Sequence, residues 1–129
     1  MGKKTILLAD SNKKNLLLFK QHLEGLSYNI VSSFSQKETE GIIMRTKPDL
    51  AIFDLIMEND DSGFVLAYKF KKRYPDVPVI IQSSSTRLKG ITFSLNSEEE
   101  RKWIKADAIV EKTTSPEHLQ KEIFKLLKV

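Results

Sequence analysis

A chain of 129 residues, 40% hydrophobic and 29% charged, has the size and composition of one globular domain spanning residues 1–129. It contains no cysteine, which excludes a disulfide framework and any thiolate metal site; it has no apolar run near the ~18 residues of a membrane span, and MGKKTILLAD lacks a signal peptide's apolar region, so a soluble, cytoplasmic protein is expected. A net charge of +4 raises nucleic acid as a partner, but the lysines are dispersed as pairs (Lys3-Lys4, Lys13-Lys14, Lys71-Lys72) without an aromatic–basic stripe, so no direct contact with nucleic acid or membrane is expected.

The first element is the apolar run Thr5 to Ala9, which ends on Asp10. Leu16, Phe19, Leu23 and Leu26 then recur at helical spacing within Asn15 to Leu26, with Ser11 or Asn12 as a cap. Tyr28 to Val31 predicts a second strand, and Ser35 to Lys47 a helix with Ser35 and Glu38 at capping-box spacing and Pro48 beyond it. Leu50 to Phe53 forms a third run, ending on Asp54. A polar loop from Met57 to Ser62 leads into a helix from Gly63 to Tyr74, closed by Pro75, and Glu58, Asp60 and Asp61 read there as solvated loop acids. Val77 to Ile81 predicts a fourth strand, followed by Gln82-Ser83-Ser84. After a long polar segment, Ser97 to Glu100 predicts a helix start, and Ala108 to Val110 a fifth strand, followed by Glu111-Lys112. Ser115-Pro116-Glu117 opens the last helix, which runs through Leu119, Ile123 and Leu127.

Strand and helix patterns thus alternate along the whole chain. Alternation predicts an α/β domain with a parallel sheet covered on both faces, and unbroken apolar strands agree, because strands buried on both sides need no polar face. Five strands of this kind favour a doubly wound, flavodoxin-like order 2-1-3-4-5, with ligands outside the carboxyl ends of the strands. Those ends carry Asp10, Asp54, Ser83 and Lys112. Alone, each has an ordinary role: Asp10 as a cap, Asp54 as a turn residue, Lys112 as a surface charge. Together, two carboxylates call for a counterion such as magnesium, an ammonium and a hydroxyl suit a phosphoryl group, and an aspartate can be a nucleophile.

The stretches ILLAD, PDLAIFD, PVIIQSS and ADAIVEK, in that order over nearly the whole chain, resemble the response regulator receiver domains of two-component signalling. The resemblance implies that Asp54 accepts a phosphoryl group from a histidine kinase or phosphotransfer protein, or from a small acyl phosphate. It implies that Asp10, Asp54 and the carbonyl of Ile56 hold magnesium, that Ser83 is the switch hydroxyl, and that Lys112 pairs with the phosphoryl group. It implies a phospho-acceptor that signals to a downstream target protein rather than an enzyme with turnover.

The chain also departs from the family pattern. Ser11 replaces the second acid after the first strand, so weak magnesium binding is expected. Thr113 stands for the usual proline, Ile109 for the usual switch aromatic and Glu58 for another frequent proline. The segment 84–97 is longer than usual and falls on the face through which receivers often form homodimers, which leaves dimerisation open. Ile56, two residues after Asp54, offers no side chain to orient a water, so slow self-dephosphorylation is expected. Two other readings stand beside the first. One is a pseudo-receiver that binds partners without phosphorylation. The other is a flavodoxin-like cofactor binder, against which the loop Asp10 to Lys14 counts, because it has no glycine-rich phosphate cradle.

Overall fold

The structure, a computed structural model, describes residues 3–59, 61–83, 105–111 and 116–127. Five strands form one parallel sheet in the order β2-β1-β3-β4-β5: β1 (Thr5–Ala9), β2 (Asn29–Ser33), β3 (Leu50–Asp54), β4 (Val79–Ser83) and β5 (Ala108–Glu111). The described helices are α1 (Lys13–Gly25), α2 (Gln36–Arg45), α3 (Ser62–Arg73) and, last in the chain, α4 (Pro116–Leu127). The helix expected from Ser97, the segment 84–97, Lys112, Thr113 and Ser115 lie outside the described residues.

Strand alternation divides the core in two. Leu7, Ala9, Ala51, Phe53, Val79 and Ile81 pack with Ile42 and Ile43 of α2 and Leu66, Ala67 and Phe70 of α3. Ile6, Leu8, Leu50, Ile52 and Ile80 pack on the other side with Leu16, Phe19 and Leu23 of α1 and Leu119 and Ile123 of α4. The three inner strands are therefore apolar at successive positions, as a doubly covered sheet requires.

Local chemistry sets the helix ends. Asn12 caps α1, its side chain accepting from the Asn15 amide at 3.1 Å. The far end closes with Ser27 N–H donating to Glu24 O (3.0 Å) and Tyr28 N–H to Leu23 O (3.2 Å), a Schellman arrangement. Its left-handed residue is Ser27 (φ 72°), where glycine is the usual choice. Ser35 caps α2 by accepting from Glu38 N at 3.1 Å; Glu38 reaches back to Phe34 N (2.8 Å), one residue beyond the expected box.

Several boundaries differ from those read in the sequence. α2 ends at Arg45 and not Lys47: Lys47, directly before Pro48, is pushed out of the helical region, and Thr46 is already extended as the cap. β4 begins at Val79 and not Val77, whose amide closes the turn after α3 on Tyr74 O (3.2 Å). At its other end β4 includes Gln82 and Ser83, since Gln82 O still accepts from Leu55 N at 2.8 Å. β2 starts one residue later than expected, at Asn29, because Tyr28 N–H is taken by the cap of α1, and it ends two residues later, at Ser33. At the amino edge of the sheet, Asp49 and Asp107 accept from the Thr5 and Val79 amides, each at 2.7 Å, which satisfies donors that no strand meets.

Candidate functional site

The carboxyl edge of the sheet is built by register. Ala9 pairs with Phe53, and Asp54 pairs with Gln82. Asp10 N–H extends the β1 ladder to Ser33 O at 3.1 Å, so Asp10 takes the rung beside Asp54. By alternation Asp10, Asp54 and Gln82 follow Leu8, Ile52 and Ile80 onto the face that α1 and α4 cover. Asp10 is 0% exposed, Asp54 6%, Gln82 1% and Ser83 2%. Apart from these four, the buried polar or charged side chains among the described residues are Ser33, Thr39 and Ser62.

Asp10 serves two purposes. Its Oδ1 accepts from Asn12 N at 2.8 Å, which folds the turn that starts α1. Its position also puts a second carboxylate next to Asp54. Two buried carboxylates on adjacent strands repel when both are ionised, which favours a cation at this edge. Ser11 follows Asp10 and is exposed, and Ile56, 38% exposed, follows Asp54 in the β3–α3 loop. Ser83 pairs with Glu111 one rung beyond Gln82 and has the parity of Ile81. Lys112 directly follows β5, outside the described residues, as noted above.

The wall beneath the edge is backbone against backbone. Gly63 N–H donates to Leu55 O at 2.8 Å, and a Cβ on Gly63 would stand 2.7 Å from Leu55 Cα and 2.9 Å from Asp54 O. Only glycine lets α3 start this close to the end of β3.

Glu58 has a role the sequence did not disclose. It is exposed, as a solvated loop acid would be, yet its two carboxylate oxygens accept from the amides of Gln36 (2.7 Å) and Lys37 (3.2 Å) at the start of α2. Partial burial raises its pKa, but the amides of Gln36, Lys37 and Glu58 itself outweigh that and hold it below the ordinary 4.5. Gln36 continues the connection: its Oε1 accepts from Ser62 Oγ (2.8 Å) at the first residue of α3, and its Nε2 donates to Glu40 (3.0 Å). Glu40 pairs with Lys69 of α3 at 2.8 Å. The loop after Asp54 is thus tied to both α2 and α3.

Among the described residues no three His, Cys, Asp or Glu side chains gather as a metal cluster, and no helix is long and apolar enough to cross a membrane. His22 bridges α1 and α4 through Gln120 Oε1 (3.0 Å), a packing role. Sequence reasoning assigned nothing to Gln82, because it follows the apolar run Val77 to Ile81 and its place inside β4 shows only in the structure.

A doubly wound sheet with a buried acidic pair at its switch point defines a class of α/β domain whose chemistry sits on one edge. Comparison with known proteins makes the class specific. The response regulator receiver domain family matches residues 6–124, and the chain belongs to that family, whose setting is two-component signalling. It is similar to the response regulator GtcR of Aneurinibacillus migulanus, 37% identical over 84 residues, which are 65% of this chain and 34% of that one. The CheY-like receiver domain protein of Methanospirillum hungatei has the same fold, with a TM-score of 0.83 and 27% identity over 98% of this chain and 95% of that one. So does response regulator TrrA of Thermotoga maritima, solved with Mg2+ and BeF, with a TM-score of 0.77 and 22% identity over 95% of this chain and 98% of that one. The chain spans 34% and 50% of the lengths of two curated relatives that it matches.

Proposed function

We propose that this receiver domain accepts a phosphoryl group on Asp54 and changes its protein contacts when it does. The observation that carries the reading is the pair of buried carboxylates, Asp10 and Asp54, on neighbouring strands at the carboxyl edge. A carboxylate oxygen of Asp54 attacks phosphorus and the bond from phosphorus to the donor breaks. The product is an acyl phosphate on Asp54, with free acetate when acetyl phosphate is the donor, or a neutral histidine when a kinase or phosphotransfer protein is. The domain acts as an acceptor and catalyses at most its own phosphorylation and dephosphorylation.

The donor set suits magnesium, which binds one or two carboxylates and fills its remaining positions with water and phosphate oxygens. Asp10, Asp54 and the Ile56 carbonyl would hold it, and when bound it supplies positive charge against the incoming phosphoryl oxygens. With Ser11 in place of a third acid, the ion is held weakly. Ser83 would meet the phosphoryl group over the strand ends and Lys112 would pair with it. Leu17 and Leu18 of α1, together with Ile56, are exposed apolar side chains that suit docking of the donor or the target protein.

Intact mass spectrometry after incubation with acetyl phosphate tests this. A gain of one phosphoryl group that requires magnesium and disappears in Asp54→Asn is the expected result. No gain, beside a competent receiver run in parallel, would leave the domain as a binding module whose partner contacts survive Asp54→Asn.

A further inference from the structure

β4 places a polar side chain on a face that is apolar one step back along the strand. Ile80 lies in the core beneath α1 and α4, and two residues on, Gln82 takes the same face with 1% exposure. Register sets Asp54 on one side of it and Val110 on the other. Adjacent parallel strands lie about 4.8 Å apart, a gap that a glutamine side chain spans.

Its amide nitrogen is a donor and nothing else. Gln82 Nε2 is buried and has no hydrogen-bond partner among the described residues. A buried donor without an acceptor is costly, and an apolar side chain of similar size would fill the position without that cost. The neighbouring position on the rung is the one where a charged acceptor arrives once Asp54 is modified. A phosphoryl group brings three acceptor oxygens and close to two negative charges, and a donor held ready beside it is worth more inside a protein than in water.

We infer that Gln82 is a phosphoryl-binding residue of this site, with Nε2 donating to an oxygen of the phosphoryl group on Asp54. The inference rests on the reading of Asp54 as acceptor. It makes β4 contribute two residues, Gln82 along the rung and Ser83 over the edge.

The test uses the full chain and beryllofluoride with magnesium as the phosphoryl probe. Affinity is measured by calorimetry in wild type and in Gln82→Met, which keeps the length and removes the amide. The expected result is about tenfold weaker binding, the scale of one hydrogen bond to a charged group. The melting temperature of the unliganded variant should hold or rise, because an unpaired buried donor has gone. Affinity within about twofold of wild type overturns the inference while leaving Asp54 as acceptor. If Gln82→Met melts lower, Gln82→Leu is measured against the same criterion. A wild type that neither binds beryllofluoride nor gains mass with acetyl phosphate overturns the reading of Asp54, and this inference with it.

Discussion

At the level of single residues, Ser11 and Glu58 carry opposite lessons. Ser11 replaces a charge with a hydroxyl beside a buried carboxylate pair. Restoring the charge with Ser11→Asp adds a hard ligand, and near a protein surface one more charge at contact distance is worth on the order of 1 kcal/mol or more. Magnesium affinity in that variant is expected to rise about tenfold, read by calorimetric titration. Glu58 is a carboxylate whose charge the fold uses. Two α2 amides hold its carboxyl below 4.5, so its contribution to stability is present above that pH and is lost as the pH falls through the lower folded value. Glu58→Gln is expected to cost about 0.5 kcal/mol at pH 7, kept small by solvent screening of an exposed group. The difference from wild type in urea melts should close below pH 4.5.

Between elements, the decisive contact is α3 on the end of β3. Gly63 lets the two backbones touch behind Asp54, where a Cβ would meet Asp54 O at 2.9 Å. Gly63→Ala is expected to destabilise by about 1–3 kcal/mol, as overpacking of a fixed backbone does, and to slow phosphoryl gain by shifting the Asp54 carbonyl. Denaturant melts and the acetyl phosphate mass assay read the two effects separately. The α1 cap, narrowed in the chain to Ser11 or Asn12 and settled on Asn12 by the structure, and the α2 cap on Ser35 were legible because a cap is read from residues close in sequence. The clasp of Glu58 on α2 was not, since it joins positions 22 residues apart in sequence.

Across the whole molecule, one sheet divides two cores, and a chain of aromatic contacts lies on the α2–α3 side. Phe70 is fully buried, edge-on to Phe53 at 5.8 Å and to Tyr74 at 5.2 Å, and Tyr74 in turn hydrogen-bonds Ile43 O at 2.7 Å. Phe70→Ala removes the centre of that group and is expected to cost about 3–5 kcal/mol in a urea melt, a large part of a typical domain's stability. The same architecture explains how far sequence reading could go. Apolar runs, caps and prolines are local signals, and they were enough for strand count, parallel order and the placing of Asp10 and Asp54 at strand ends. Burial and neighbourhood are not local. That Asp10, Asp54 and Gln82 share a rung depends on the register of β1 on β3 and of β3 on β4, which the packing of helices on both faces sets. A glutamine reads in sequence as one more polar residue after an apolar run; one further residue of β4 in the ladder turns it into a buried donor beside Asp54, because each residue added to a strand alternates the face and extends the hydrogen-bonded edge.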